Sequence, residues 1–256
     1  MGLSVPKDRC KSLIPNTANV KPLEPCLKTE LGHANLRTMV QPVDNETGSL
    51  DGKELHQVPR VRPGLFPAPP NWDQVFAHEQ PLELEIGFGR PHFFLERAAA
   101  KPTHNIVGIE WKRRHVAMAQ KNIKKNAIPN ACALHGNAWW LTGGLFPEAS
   151  LHNIFINFPD PWWKKKHAKR RIVNDVFADL FVSRLVPGGH LLIQTDVASL
   201  LEGYMEAFEP IPQLRNKMGP FRLFPYNPSG ARSHREKKCV TQEIPIFRVL
   251  YEKTHN

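Results

Sequence analysis

Long apolar runs, paired cysteines and an excess of acid are all missing from this sequence of 256 residues. No stretch approaches the roughly 18 apolar residues that span a membrane, and no apolar run follows the first residues as a secretory signal requires. The sixth residue, Pro6, is not the Ser or Thr that an N-myristoylation signal places there. We therefore expect neither a membrane anchor nor a secretory leader.

The few cysteines are far apart and form no Cys-x-x-Cys pair: Cys10, Cys26, Cys132 and Cys239. Such spacing predicts neither a disulfide framework nor a zinc site. Reduced thiols in a cytoplasm are the simplest interpretation. We therefore expect a cytoplasmic protein without a bound metal.

The first 70 residues differ in composition from the rest of the chain. They hold 10 of the 24 prolines, and nine Lys and Arg nearly balance seven Asp and Glu. Their apolar residues follow no period of 2 or 3.6, so the segment cannot bury enough surface to offset its ordering entropy. The sequence predicts that residues 1–70 are a mostly disordered extension and that residues 71–256 form the folded domain.

The positive charge after residue 70 is concentrated in three clusters. The net charge of the chain is +10. Residues 111–125, 160–171 and 211–240 each carry six or seven Lys and Arg with at most one acid. A solvated surface usually mixes both signs, so three clusters of one sign indicate a polyanionic partner.

Short apolar segments alternate with helical patterns from residue 82 onwards. This order predicts an α/β fold with a mostly parallel sheet and helices on both faces. The predicted strands are residues 82–86, 106–110, 131–135, 152–158, 190–195 and 244–251. The predicted helices are residues 92–100, 112–126, 173–186 and 198–209.

The residues after the first two strands have the features of a nucleoside site. Gly87 and Gly89 allow a tight turn close to a ligand, and Glu110 follows 21 residues later, where an acid can bind both ribose hydroxyls. His92 stands where a dinucleotide motif has its third glycine. Glu85 disfavours a phosphate and suits a cationic ligand such as S-adenosylmethionine.

The segment after the fourth strand carries the strongest indication of function. Pro159 and Pro161 flank Asp160 and fix its backbone in a loop at the carboxyl end of the strand. Trp162 and Trp163 offer faces on which bases can stack, and the basic run that follows can bind a phosphate backbone. Together these residues predict that RNA is bound beside the cofactor.

The chain from about residue 72 to its end resembles the bacterial tRNA (guanine-N7)-methyltransferases of the class I, Rossmann-like fold. The resemblance rests on five motifs: residues 85–89, 108–110, 158–162, 167–171 and 195–196. It implies a seven-stranded sheet, S-adenosylmethionine as the cofactor and tRNA as the partner. The implied reaction methylates N7 of a guanine, at position 46 of the variable loop.

The resemblance also implies a role for each matching residue. Asp160 matches the catalytic aspartate and also belongs to the cofactor site. The other implied cofactor contacts are Glu85 on the methionine side, Glu110 on the ribose, Asn137 on the adenine, and Gly87 and Gly89. The implied substrate contacts are Lys164, Asp196, Ser233 and Glu236, and the basic residues Lys169, Arg170 and Arg171 would bind tRNA phosphates.

This sequence departs from the family pattern at several places. Asn137 replaces an acid, Pro91 replaces a glycine, Val197 replaces an aromatic residue and Ser233 replaces a threonine. Three alternatives therefore stay open: a methyltransferase of another RNA or another guanine, an RNA-binding module without catalysis, and a nicotinamide dehydrogenase. We expect a monomer from the resemblance alone.

Overall fold

The computed structural model describes residues 69–76, 78–160 and 175–255, and of residues 175 and 176 it describes the backbone alone. Within these ranges seven strands form a single sheet. The strands are β1 (Leu82–Ile86), β2 (Asn105–Glu110), β3 (Ala131–His135), β4 (Leu151–Asn157), β5 (Leu185–Thr195), β6 (Leu214–Asn216) and β7 (Phe247–Lys253).

The strand order is β3-β2-β1-β4-β5-β7-β6. The first five strands pair in parallel, and β7 runs antiparallel to both of its neighbours. The carboxyl ends of β1 to β5 therefore lie along one edge of the sheet. The order reverses between β1 and β4, which is the point where ligands bind in open α/β sheets.

Helices cover both faces of this sheet, as the sequence predicted. They are α1 (Trp72–Val75), α2 (His92–Ala100), α3 (Arg113–Lys125), α4 (Ala138–Leu145), α5 (Asp175–Arg184), α6 (Ala198–Phe208) and α7 (His234–Thr241). Side chains of α1, α4, α5 and α6 share one apolar core, whereas those of α2 and α3 share a second core on the opposite face.

The two cores follow from the alternation of side chains along the strands. In β2, Val107 and Ile109 belong to the first core and Ile106 to the second. All five residues of β1 are buried, as is usual in a sheet covered on both sides. Burial of this kind places Glu83 and Glu85 in the interior, where each carboxyl needs a partner.

The prediction from the sequence was wrong at the junction of α5 and β5. Pro187 and the glycines after it were expected to end a helix at residue 186, but the helix ends at Arg184 and β5 begins at Leu185. The pairing of β4 with β5 shifts in register between Leu151 and Asn153, which accommodates the Pro-Gly-Gly segment as a bulge. Strand pairing therefore overrides the local turn signal here.

Four short elements were not predicted: α1, α4, β6 and α7. Each is eight residues or shorter, so periodicity alone gives little signal. Tertiary contacts define them instead. The Trp72 indole of α1 stacks on Phe146 and donates a 3.0 Å hydrogen bond to the carbonyl of Leu145.

Several expectations lie partly or wholly outside the described residues. The predicted disordered extension covers residues 1–70, of which the structure describes only residues 69 and 70. Cys132 and Cys239 are buried. Among the described helices, none has both the length and the apolar character needed to cross a membrane.

Candidate functional site

The loop after β1 and the end of β2 are joined by one carboxylate. Glu110 is buried, and its two oxygens accept hydrogen bonds from the backbone N–H of Gly89 at 2.8 Å and of Lys112 at 2.7 Å. Gly87 and Gly89 have φ values of +68° and +53°, which glycine adopts without strain. Glu110 therefore holds the loop in a left-handed conformation that its sequence favours.

Open space lies beside this loop. Apart from its two chain neighbours, no described residue would lie within 4 Å of a Cβ atom built on Gly89. Pro91 serves as the N-cap residue of α2 with φ −77°, and its carbonyl accepts from the N–H of Leu95. A proline suits this position because no helical hydrogen bond needs its missing N–H. The replacement of glycine at residue 91 is thus compatible with a helix that starts beside the cofactor loop.

Glu85 lies in β1 just before this loop and is 1% exposed. Its Oε1 accepts a 2.9 Å hydrogen bond from Nδ2 of Asn157, whereas its Oε2 is buried without a hydrogen-bond partner among the described residues. Burial raises the pKa of the Glu85 carboxyl from its ordinary 4.5 to about 8. A buried, half-partnered carboxyl fits a cationic group, since an ammonium or sulfonium would stabilise its charged form.

This geometry fits the cofactor that the resemblance implies. Glu85 offers an unsatisfied oxygen for a positively charged group, and Gly89 leaves space for a ligand beside the loop. Glu110 stands at the end of the next strand with both oxygens hydrogen-bonded to the backbone. A ribose at Glu110 would therefore share oxygens that have further lone pairs to accept from it.

Asn137 is exposed at the end of β3 and caps α4. Its Oδ1 accepts a 2.9 Å hydrogen bond from the N–H of Trp139. Trp111, directly after Glu110, is 67% exposed, and its ring lies 6.2 Å from that of His135. Trp111 was not predicted as a site residue, although its place next to the predicted ribose ligand Glu110 was a signal for it.

Asp160 is exposed three residues after the end of β4. Phe158 turns the chain there with φ +49°, and its N–H donates a 2.7 Å hydrogen bond to the carbonyl of Gln194 in β5. Asp160 comes three residues after Asn157, whose side chain is hydrogen-bonded to Glu85. Asp160 and Glu85 therefore lie at the same edge of the sheet. The predicted substrate residues Lys164, Lys169, Arg170 and Arg171 lie outside the described residues.

The first turn of α7 contacts three other parts of this edge through consecutive residues. His234 Nε2 lies 2.7 Å from Nη1 of Arg90 in the loop after β1. Arg235 forms a salt bridge with Asp196 at the end of β5. Glu236 accepts hydrogen bonds from β5 and β7. Asp196 is thus paired with Arg235, the residue next to Glu236 in α7. A role of Asp196 in binding substrate stays a prediction.

The remaining predicted residue of α7 has a structural contact of its own. The Oγ atom of Ser233 accepts a 3.0 Å hydrogen bond from the N–H of Glu236 and so caps the helix. Ser233 and Glu236 are 8% and 1% exposed. A role of either residue in binding substrate stays a prediction.

A buried polar chain connects Glu236 with Glu85. Gln194 donates through Nε2 to Oδ1 of Asn157 at 2.7 Å and to Oε2 of Glu236 at 3.1 Å. Arg248 donates to Gln194 at 2.9 Å and to Glu236 at 3.0 Å. None of Asn157, Gln194 and Arg248 was predicted from the sequence as part of the site. Polar residues inside otherwise apolar strands were the signal that could have found them.

The described part of the chain contains no group of three or more His, Cys, Asp or Glu side chains arranged to hold a metal ion. The absence of a metal from the reaction stays a prediction.

Solved structures resemble this chain in fold. The 16S rRNA methyltransferase KamB superposes with a TM-score of 0.52 at 12% identity, over 72% of this chain and 92% of that chain. Identity at this level shows the fold alone, which is the Rossmann-like fold that the sequence predicted.

Sequence comparisons identify the family. The family model described as "Putative methyltransferase" matches residues 79–249. A tRNA (guanine-N(7)-)-methyltransferase of Myxococcus xanthus is 33% identical over 70% of this chain and 87% of its own. A protein of the same name from a Synechococcus species is 35% identical over 72% of this chain and 78% of its own. The chain therefore belongs to the tRNA (guanine-N(7)-)-methyltransferase family.

Proposed function

We propose that this protein transfers a methyl group from S-adenosylmethionine to N7 of a guanine in tRNA, at guanine 46 of the variable loop. The observation that carries the proposal is the single edge shared by Glu85, Glu110 and Asp160. Two of these acids suit a cationic nucleoside cofactor, and the third is exposed beside them. The names of the relatives add tRNA and the N7 position.

The chemistry asks little of the protein as an acid or a base. When bound, S-adenosylmethionine would supply a methyl carbon on a positively charged sulfur; the N7 lone pair of guanine can attack this carbon as the S–CH3 bond breaks, and sulfur keeps that electron pair and leaves as the neutral thioether of S-adenosylhomocysteine. Neutral guanine already carries this lone pair, so the chain need not supply a strong base. Its task is to hold N7 in line with the methyl carbon, and orientation of this kind can provide most of the acceleration.

Asp160 is the residue we assign to the guanine. Its exposed carboxylate can accept hydrogen bonds from N1–H and from the exocyclic amine of the base. Methylation at N7 leaves a positive charge on the ring, and a fixed negative group beside it stabilises that charge as it develops. Asp160 would thus both position the base and lower the barrier.

The cofactor would be held from three sides. Glu85 binds the ammonium group of the methionine end through its unpartnered oxygen, and Glu110 accepts from the ribose hydroxyls. Asn137 contacts the adenine through its amide, and the exposed face of Trp111 packs against the same flat ring. Gly87 and Gly89 allow the backbone to approach the ligand closely.

The tRNA would be held around this edge. We assign Asp196, Ser233, Glu236 and Lys164 to binding of the target nucleotide. Lys169, Arg170 and Arg171 bind phosphates, which predicts a steep loss of affinity with salt. The target guanine leaves its stacked position to reach Asp160, as in other enzymes that modify bases. We place the reaction in the cytoplasm and assign it to a monomer.

Incubation with methyl-labelled S-adenosylmethionine and unmodified tRNA tests the proposal. We expect labelled N7-methylguanosine in the digested product, at guanine 46 when the modified nucleotide is mapped. Label at another atom or in another RNA would overturn the substrate assignment. Binding of tRNA without any transfer would favour the RNA-binding module instead.

A further inference from the structure

The charged Lys and Arg side chains of helix α3 and of the residue before it are all positive. The segment from Lys112 to Lys125 contains six cations and no Asp or Glu, and all six are exposed: Lys112, Arg113, Arg114, Lys121, Lys124 and Lys125. The proposed function assigns a role to none of them.

Helical spacing places three of these cations on one outward face. Arg114, Lys121 and Lys125 are seven and four residues apart, which brings them to the same side of the helix. Val116 and Ala119 are buried on the opposite side, against the sheet. The outward side chains span about 17 Å at 1.5 Å per residue. We call Arg114, Lys121 and Lys125 the α3 cationic face.

The described residues provide no acidic partner for these charges: no salt bridge in that part of the chain includes any of the six cations. Cations elsewhere on the surface do have such partners, for example Lys217 with Glu252 and Lys237 with Glu96. The α3 cationic face is therefore positive without internal compensation.

Lys124 and Lys125 in the last turn suit the negative end of the helix dipole, but two other features of this charge arrangement are unfavourable for an isolated helix. Lys121 and Lys125 are like charges four residues apart, which repel each other. Arg113 and Arg114 lie in the first turn, where the helix dipole is already positive and no acid balances it. An external polyanion would relieve both effects. The repulsion and the dipole effect are a second observation, separate from the exposure of the side chains, and they also indicate a polyanionic partner.

Helix α3 begins next to the candidate site. The N–H of Lys112, which precedes the helix, donates to Glu110 at the carboxyl edge of the sheet. From there α3 packs along β2 and β3 towards the opposite edge. An RNA strand that leaves a nucleotide at this edge can therefore continue along the helix.

We propose that the α3 cationic face binds the phosphate backbone of tRNA, as a second contact area besides the residues assigned to the target nucleotide. The proposal rests on the proposed function, because tRNA is the polyanion it names. Contacts of this kind are independent of base sequence, so the face would set affinity and orientation rather than the choice of nucleotide.

The test compares two variants of the full chain with equal loss of charge. R114Q/K121Q/K125Q neutralises the α3 cationic face with residues that favour helices. R215Q/K217Q/R222Q removes three exposed cations from β6 and the loop after it, at the opposite edge of the sheet. The affinity for unmodified tRNA is measured against salt concentration, and binding of S-adenosylmethionine and thermal unfolding confirm that each variant folds.

The logarithm of the association constant for tRNA decreases linearly with the logarithm of the salt concentration. We expect the magnitude of this slope to be smaller by about 2 in R114Q/K121Q/K125Q, because each phosphate contact contributes about 0.7. The KM for tRNA should rise about tenfold or more, and kcat at saturating tRNA should stay unchanged. The charge-conserving R114K/K121R/K125R should keep the slope of the wild type. R215Q/K217Q/R222Q should lower the magnitude of the slope by less than about 0.7, because Arg215 and Lys217 already pair with Glu252 although they belong to the basic cluster of residues 211–240.

Equal salt slopes in the two neutralised variants would overturn the proposal. Binding to phosphatidylserine vesicles is measured as well. If R114Q/K121Q/K125Q loses vesicle binding while its salt slope for tRNA stays unchanged, the α3 cationic face binds a membrane surface and the proposal is overturned. The salt slope is measured without catalysis. A wild type that binds tRNA but transfers no methyl group would thus contradict the proposed function while the slopes still decide the role of α3.

Discussion

Nδ2 of Asn157 donates a 2.9 Å hydrogen bond to Oε1 of Glu85, while Oε2 of the same carboxyl lies buried without a partner among the described residues. One oxygen is thus fixed by the neighbouring strand and the other is left for a ligand. Because the carboxyl is 1% exposed, its ionisation depends on what that ligand is.

The stability of the ligand-free protein should carry a signature of Glu85. Its pKa is about 8 in the folded chain against an ordinary 4.5, so between these values the folded state holds more protons on this group than the unfolded state. The free energy of unfolding should therefore lose this contribution as the pH rises from about 4.5 to about 8. Urea unfolding at several pH values, compared with Glu85→Gln, isolates the effect. Identical pH profiles for the two proteins would contradict it.

Binding of S-adenosylmethionine should release a proton near neutral pH. The ligand-free carboxyl is mostly protonated at pH 7, because its pKa is about 8, whereas a bound cation favours the charged form. The calorimetric binding enthalpy at pH 7 should then differ between buffers of high and low ionisation enthalpy. At pH 9 the difference should shrink, since Glu85 is already ionised. A difference that does not shrink at pH 9 would assign the proton to another group.

Gly89→Ala should weaken cofactor binding as well as folding. The φ of +53° strains any residue with a Cβ atom, at about 1–2 kcal/mol, and the added methyl group projects into the space beside the loop. We expect the Kd for S-adenosylmethionine to rise about tenfold or more. Gly203→Ala is the matched control, because Gly203 is exposed within α6 and has no neighbour within 4 Å of a new Cβ. It should leave binding unchanged and raise stability by up to about 1 kcal/mol.

Arg248→Met should destabilise the protein strongly. The substitution leaves Glu236, at 1% exposure of its side chain, without its charged partner, and such losses cost about 3–5 kcal/mol. Arg215→Met is the control, since the Arg215 side chain is 64% exposed in its pair with Glu252 and should contribute at most about 1 kcal/mol. Chemical denaturation measures both. Similar losses in the two variants would mean that the buried chain from Glu85 to Glu236 does not stabilise α7.

Sequence periodicity was sufficient for the first half of the sheet. β1, β3 and α2 have the predicted bounds, because an apolar run or an amphipathic stretch is closed by a turn residue in each case. The same reasoning failed for α4, where two tryptophans and two glycines give no helical period. Its start depends on Asn137 as a cap, and its burial on contacts with distant elements.

The candidate site was predictable only in part. Glu85, Glu110 and Asp160 follow strands in the sequence, so topology places them at one edge. Gln194 and its partners could not be inferred, because its hydrogen bonds to Asn157 and Glu236 cross 37 and 42 residues of chain. Which buried polar groups meet depends on strand order and register, and these follow from the whole core.

The most direct test of the account measures methyl transfer by the Asp160→Asn variant under single-turnover conditions with unmodified tRNA. Asp179→Asn, an exposed aspartate in α5, is the matched control. We predict N7-methylguanosine at the wild-type rate in the control and a rate lower by about 100-fold or more in Asp160→Asn, with the affinity for tRNA largely kept. An Asp160→Asn variant that forms N7-methylguanosine as fast as the wild type would contradict the assignment of Asp160.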